Sequence, residues 1–475
     1  MKSLEEHNRE IAIIAKQLKE YSQSGKDKKL RFYHGGSNST RENSSNEYSW
    51  IDISHLDQVV EVNTKQGFII VEPNIPMDKL VATTLRYGLI PSVVMEFPGI
   101  TVGGGINGAA LESSSFRFGQ FNDNAEEYEI VLGNGEIIQA SPKQNQDIFY
   151  GISGAYGSLG LLSLIKLRLT KASKYVQVKH AVTGSYKEIL DNMHKLLDDK
   201  NIDFLEGIVF SPEHSVLITG KLVENGNLPI QTYSKAKDPW FYERAKNITY
   251  ASKESEELVP LADYLFRYNR GAFWTGEFVF PFYHIPNNKL TRYLLNPFMN
   301  TRKLFDGLHA VNMGQDWLVQ DFYLPWDKVT DFLEYSAKAV DIWPIWLCPM
   351  KPTQKPQKLS PHFINTNDML IDIGVWGQTD KYLKDPIRVN REFEAETKKM
   401  MGRKMLYAHQ YYTESEFWHE YDQNWYKRLR TKYKAGNIFP NVWTKTHVKE
   451  RYKMKKWRGT IKVLGETLLG KHINS

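Results

Sequence analysis

Hydrophobic and polar positions follow two rhythms in the first third of this chain. In residues 4–22, Ile11, Ile14, Leu18 and Tyr21 fall at helical spacing, which predicts an amphipathic helix that SGKDKK ends. From Trp50 the period shortens. WIDI at 50–53, QVVEVN at 58–63 and FIIVEP at 68–73 read as strands. Pro76 opens MDKLVATTLRYG, a helix with Leu80 and Leu85 on one side and Gly88 at its end. YEIVLGNGEIIQA at 128–140 predicts a β-hairpin that turns at Asn134-Gly135. After a glycine-punctuated turn, SGAYGSLGLL, Lys166 and Arg168 alternate with Leu167 and Leu169, the mark of a strand with one wet face.

Two stretches break these rhythms. FPGITVGGGINGAALESSSFRFG at 97–119 joins Gly103, Gly104 and Gly105, with Gly108 following. Backbone without Cβ lets a ligand approach closely, and consecutive amides in such a loop can form an anion nest. Ser113, Ser114 and Ser115 add short hydroxyls suited to phosphate oxygens, so the expected guest carries a pyrophosphate. The pattern G-x-G-x-x-G is met by Gly103, Gly105 and Gly108, but a Rossmann fingerprint needs a strand directly before it, and Pro98-Gly99 interrupts one. RFYHGGSNSTR at 31–41 is a second polar glycine loop, with Gly35 and Gly36 beside Ser37, Asn38, Ser39 and Thr40. Two such loops separated by strands suit a dinucleotide held between them.

Composition narrows the class. At 475 residues two domains are expected, and 41% hydrophobic with 24% charged residues is ordinary for a soluble globular protein. Aromatics reach 13%, which suits either a large apolar pocket or a thick core. A single cysteine, Cys348, excludes an internal disulfide and fits a reducing compartment. The start, MKSLEEHNRE, lacks the apolar stretch of a signal peptide, and no run approaches the ~20 apolar residues that span a bilayer. A cytoplasmic protein, or one peripheral on the cytosolic face of a membrane, is expected. No metal-ligand spacing, G-x-S-x-G elbow or NADPH motif is visible. The net charge of +6 gathers at the end, where 445–462 hold eight Lys or Arg against Glu450. Such a tail is either a solvated face or a contact for anionic lipid; no nucleic-acid module accompanies it.

In order, the GGSNS loop, strands, helix, P-G-x-T-V-G-G, serine cluster, V-L-x-N-G hairpin and G-S-L-G-L resemble the PCMH-type FAD-binding domain of the vanillyl-alcohol oxidase type. TVGGGINGAALESSSFRFGQF, PIWLCPM at 344–350, IDIGVWG at 371–377 and MLYAHQYYTESEFW at 405–418 further resemble the sterol delta-24 reductases. The resemblance implies an α+β fold in two domains. It divides the sequence into an N-terminal helix at 1–24, the FAD-binding domain at 25–172, an α/β substrate domain at 173–440 and a basic tail at 441–475. It implies FAD bound by Gly35, Gly36, Ser37, Asn38, Ser39 and Thr40, by Thr101, Val102, Gly103, Gly104, Gly105, Ile106, Asn107 and Gly108, and by Ser113, Ser114, Gly119, Gly157 and Gly160. Covalent members carry a flavin-linked histidine just before the first loop's serine. That place falls to Asn38 here, so the FAD is expected to be non-covalent. NADPH is implied as electron donor and a sterol-like molecule as substrate.

The implied reaction sets a chemical demand. An unactivated alkene in a sterol side chain needs a proton donor, a hydride from reduced flavin, and a dry apolar pocket. Asp321 in LVQDFYLP, Asp372 in IDIGVWG and Tyr411 in YAHQYYTESEFW are the candidate donors, each also readable as a structural polar residue. His409 is a further candidate. Trp343, Trp346, Trp376 and Trp418 either line the substrate cavity or pack the core. The rival activity is a soluble FAD oxidase that dehydrogenates a small alcohol or sugar and passes electrons to oxygen. A non-catalytic scaffold with the same fold is a third reading.

Overall fold

A computed structural model of the protein describes residues 1–36, 39–41, 47–251 and 254–453. Its first helix, Leu4–Gln23, starts at a capping box in which Ser3 and Glu6 exchange hydrogen bonds. Ile11, Ile14, Ala15 and Leu18 are buried against Leu30, Ile51, Ile53 and Leu56, and also against Ala435, Ile438 and Phe439 from far along the sequence. His7, fully buried on this helix, bonds Glu72 at 2.8 Å and Glu129 at 3.2 Å.

The first sheet is antiparallel, in the order Val59–Asn63, Phe68–Val71, Leu161–Lys171, Ala125–Val131, Ile137–Ala140, with Leu89–Pro91 also paired to Leu161–Lys171. Leu167 and Leu169 turn inward, Arg168 outward, and Lys166 lies over the Phe68 ring. Helix Met77–Leu85 buries Met77, Leu80 and Val81. Gly135 has φ 83° at the predicted hairpin turn. The central glycine stretch differs from the expected loop: it is a short helix, Val102–Gly108, capped by the Thr101 side chain.

The second sheet begins at Tyr175, just after the first ends at Lys171. Its eight antiparallel strands run Ser255–Pro260, Tyr175–Thr183, His214–Val223, Phe204–Ser211, Ile345–Met350, Leu370–Gly377, Leu318–Pro325, Arg403–Lys404. The strands Ile345–Met350, Leu370–Gly377 and Leu318–Pro325 are buried at every position, because both faces are covered. Phe322, Leu324, Ile371, Ile373 and Val375 share one apolar cluster with residues of helices Tyr186–Leu196, Val329–Ala339 and Pro386–Lys399. On the opposite face, register places Trp346 and Asp321 on either side of Gly374, and Cys348 and Tyr323 on either side of Asp372. That face looks toward the first sheet.

The polypeptide then returns. Helix Gln423–Lys432 packs on helix Gln146–Gly151, and the Arg430 guanidinium donates to the carbonyls of Ser158 (2.6 Å), Phe439 (2.7 Å) and Gly436 (3.0 Å). The last helix among the described residues, Val442–Thr446, ends beside the first unit, with Lys445 Nζ close to Gly157. Most of the basic tail, from Met454 onward, lies outside the described residues. Among the described residues no helix is long and apolar enough to cross a membrane.

Candidate active site

Both units and the returning segment enclose one cavity of about 1490 Å³. One end is cationic. Arg31, Arg41 and Lys445 line it, and among the described residues none has a carboxylate in ion-pair reach. Arg31 instead lies over the rings of Tyr48 and Trp50, at 5.0 and 5.2 Å. Arg41 donates to the carbonyls of Leu406 and Ala408. Burial, then repulsion from Arg31 and Arg41, pushes the Lys445 ammonium well down. Positive charge with no carboxylate in ion-pair reach favours an anion.

The glycines at this end divide by role. A Cβ on Gly36 or Gly108 would meet nothing within 4 Å, so both leave open cavity surface. A Cβ on Gly103 would lie 2.8 Å from Pro73 Cβ, and one on Gly105 would lie 2.5 Å from Met95 Cε. Those two glycines answer to protein packing. The amides also differ from the expected nest. Val102 N–H donates to Ile75 O, Gly103 N–H to Pro73 O, Gly104 N–H to Thr101 Oγ1 and Gly105 N–H to Thr101 O. The cations, rather than these four amides, supply the free positive charge.

Of the residues read from the sequence as cofactor-binding, Gly35, Gly36, Ser39, Thr101, Gly103, Gly104, Gly105, Asn107, Gly108, Gly157 and Gly160 line the cavity. Ser37 and Asn38 lie outside the described residues. Thr40 is buried against His409, 3.1 Å from its Nδ1. Val102 and Ile106 face the core. Ser113 hydrogen-bonds Glu112, the Ser114 hydroxyl donates to Ser92 O at 2.9 Å, and Ser115 Oγ accepts from Glu112 N. All three serines are buried at the join with the second sheet and none lines the cavity. Gly119 takes φ 72° in a turn against Asp123, away from it.

The other end is aromatic and acidic. Phe97 meets Phe273, Phe305 and Trp376 at 5.7–6.0 Å between ring centres, and Phe273 meets Trp346 at 5.3 Å. Trp343 and Trp418 are elsewhere, against Tyr186 and Tyr426. Asp321 lines the cavity and accepts from Trp376 Nε1 at 2.9 Å; burial pushes its carboxyl up to about 6. Asp372 is fully buried behind the lining, and neither carboxyl oxygen has a hydrogen-bond partner among the described residues. Burial, then Asp321 and Glu96, raises it well above the usual carboxylate range. Tyr411 is outside the lining, bonded to Gln315 at 3.0 Å. The cavity is lined instead by Tyr407, raised well up by burial and the nearby Asp321 carboxyl.

Sequence reasoning misses three residues here. Lys445 reads only as the start of the tail. Arg267 is fully buried between Glu112 (2.6 Å) and Glu206 (2.8 Å). Glu96, half-buried on the lining, is the acid in the apolar run VVMEF. That interruption is its only signal.

Residues 7–141 match the family model described as FAD binding domain. The Delta(24)-sterol reductase of Macaca fascicularis is 30% identical over 400 residues, covering 82% of this chain and 76% of that protein. The Homo sapiens protein of the same name is 29% identical over 397 residues with the same coverage. That of Arabidopsis thaliana is 30% identical over 453 residues, covering 88% and 78%.

Proposed function

Since this protein belongs to the Delta(24)-sterol reductase family and is an FAD-dependent oxidoreductase of α+β, vanillyl-alcohol-oxidase type, we propose that it reduces the carbon–carbon double bond in the side chain of a sterol with electrons from NADPH. The observation that carries this reading is the polarity of the cavity: cations with no carboxylate in ion-pair reach among the described residues at one end, an aromatic and acidic chamber at the other. Arg31, Arg41 and Lys445 hold the FAD diphosphate in this reading, with the glycines of both loops leaving room for it. The bound flavin supplies hydride chemistry.

The protein's own part is positioning, exclusion of water and proton supply. Phe97, Phe273, Phe305, Trp346 and Trp376 present ring faces and edges, which suit an aliphatic group and repel water. Holding the alkene against a fixed reductant converts a two-body encounter into a one-body one. Protonation of an unactivated alkene leaves positive charge on the more substituted carbon, which then accepts hydride. Acids kept neutral by burial can give that proton at neutral pH; ionised ones cannot.

The test is anaerobic stopped-flow absorbance. NADPH should bleach the flavin, and a delta-24 sterol should restore its colour. Bleaching by a small alcohol and recolouring by oxygen, with no response to NADPH or sterol, would replace this reading with the oxidase.

A further inference from the structure

The aromatic chamber is bordered by more acid than it can hold ionised. Glu96, Glu112, Glu206, Asp321 and Asp372 gather there, and of these Glu96, Glu112 and Glu206 are within electrostatic reach of the Arg267 guanidinium. That guanidinium is already used: it bonds Glu112 and Glu206, while Tyr268 OH (2.9 Å) and Trp346 Nε1 (2.7 Å) donate to Glu206. Asp321 is tied to Trp376. Asp372 stands behind the lining. Glu96 differs from all four. It lies on the cavity wall between Met95 and Phe97, both of which also line the chamber, and its carboxyl has no hydrogen-bond or ion-pair partner on another described residue. Its one bond is to its own backbone amide, and an acid so placed on an apolar wall costs folding energy while joining no two parts of the structure.

We propose that Glu96 is the acid that protonates the alkene, a role that rests on the reading above. The Glu96 O–H bond breaks, and its proton forms a C–H bond at the less substituted alkene carbon with the π electron pair. The cation left at the more substituted carbon would be quenched by the hydride that FAD, bound and reduced, would supply with its two electrons. Glu96 is left as carboxylate and regains a proton from water. Burial, then the charge of Glu112, pushes its carboxyl up to about 8, against a smaller opposing pull from Arg267, so the acid still carries its proton at neutral pH. The groups that face it are Glu112, Asp321, Asp372, Tyr407 and Arg267. Asp321 and Asp372, packed together across neighbouring strands, resist a second negative charge beside Glu96 and keep the proton there until the alkene takes it.

The experiment compares wild type, Glu96→Gln, Glu96→Asp and Asp321→Asn, each as FAD-loaded protein. Two readouts are taken. The first is reoxidation of the reduced enzyme by a delta-24 sterol across pH 6–9. For Glu96→Gln the rate should fall by roughly 10²-fold or more, with FAD content and bleaching by NADPH retained, and Glu96→Asp should recover part of it. The wild-type rate should fall as pH rises through about 8, and the residual Glu96→Gln rate should not. The second readout needs no turnover: the infrared band of a protonated carboxyl should titrate near that pH in wild type and be missing in Glu96→Gln. A wild-type rate and unchanged pH limb in Glu96→Gln, or a limb lost only in Asp321→Asn, overturns the assignment. So does a wild-type infrared titration without that band, whatever the substrate proves to be.

Discussion

Gly104 and Gly105 are neighbours with opposite reasons for being glycine. A side chain at Gly104 would touch only Thr101 Oγ1, at 3.0 Å, before projecting into the cavity, whereas one at Gly105 drives into Met95 and Phe121. Gly104→Val should therefore leave a folded but colourless protein, and Gly105→Ala should lower stability by about 1–3 kcal/mol with flavin still bound. Absorbance after FAD reconstitution, read with the thermal midpoint of the apoprotein, separates the two. The glycine run was legible in the sequence because no other residue type permits close backbone approach. Which glycine serves the ligand and which serves Pro73 or Met95 was not legible, because that depends on partners in distant strands. Ser113–Ser115 show the same limit: a hydroxyl suited to phosphate is equally suited to a buried carbonyl, and only the fold chooses.

The strands of the second sheet show why paired chemistry hides from a linear reading. Trp346 and Trp376 share a chamber because both fall on the sheet face of Asp321, Trp346 in Gly374's row and Trp376 two positions along its strand, while Trp343 precedes its strand and stacks elsewhere. Strand register, absent from any local pattern, makes that distinction. The local elements themselves were readable: helix 4–22 is found as Leu4–Gln23, and the hairpin at 128–140 as Ala125–Val131 with Ile137–Ala140. The Glu112–Arg267–Glu206 bridge between elements is open to a direct measurement. Arg267→Met should destabilise the protein by about 3–5 kcal/mol at neutral pH, since it leaves buried carboxylates uncompensated. Burial raises the Glu112 carboxyl, and Arg267 is the main influence opposing that rise. Without Arg267 the carboxyl rises further, the native state binds more protons than the unfolded polypeptide, and stability falls as pH rises. Thermal midpoints at pH 5.5 and 8 should thus diverge more in the variant than in wild type.

At the scale of the molecule, segments from opposite ends of the sequence meet: the N-terminal helix packs against Ala435, Ile438 and Phe439, and Lys445 reaches the cavity. The N-terminal helix is held by His7 between Glu72 and Glu129. Burial acts to lower the His7 pKa, but the hydrogen bonds and charges of these two glutamates outweigh it and raise it overall. Its contribution is therefore full below the unfolded histidine range and is lost as pH rises through the raised native value. His7→Leu should flatten that part of the stability–pH curve, as read by denaturant midpoints between pH 6 and 9. Across the cavity, Lys445→Met should weaken FAD binding by roughly 10-fold to 100-fold and reduce its dependence on salt, because a charge-assisted contact to phosphate contributes about 1.5–3 kcal/mol. Fluorescence titration of the apoprotein measures both.

Lys445 also sets a clock on biogenesis. The FAD-binding model ends at residue 141, yet the cation nearest Gly157 is encoded some three hundred positions later. A ribosome that has completed the first sheet has not yet made the Lys445 wall of the cationic end. In the reading proposed above, cofactor capture therefore waits until residue 445 has been made and the returning segment has folded back.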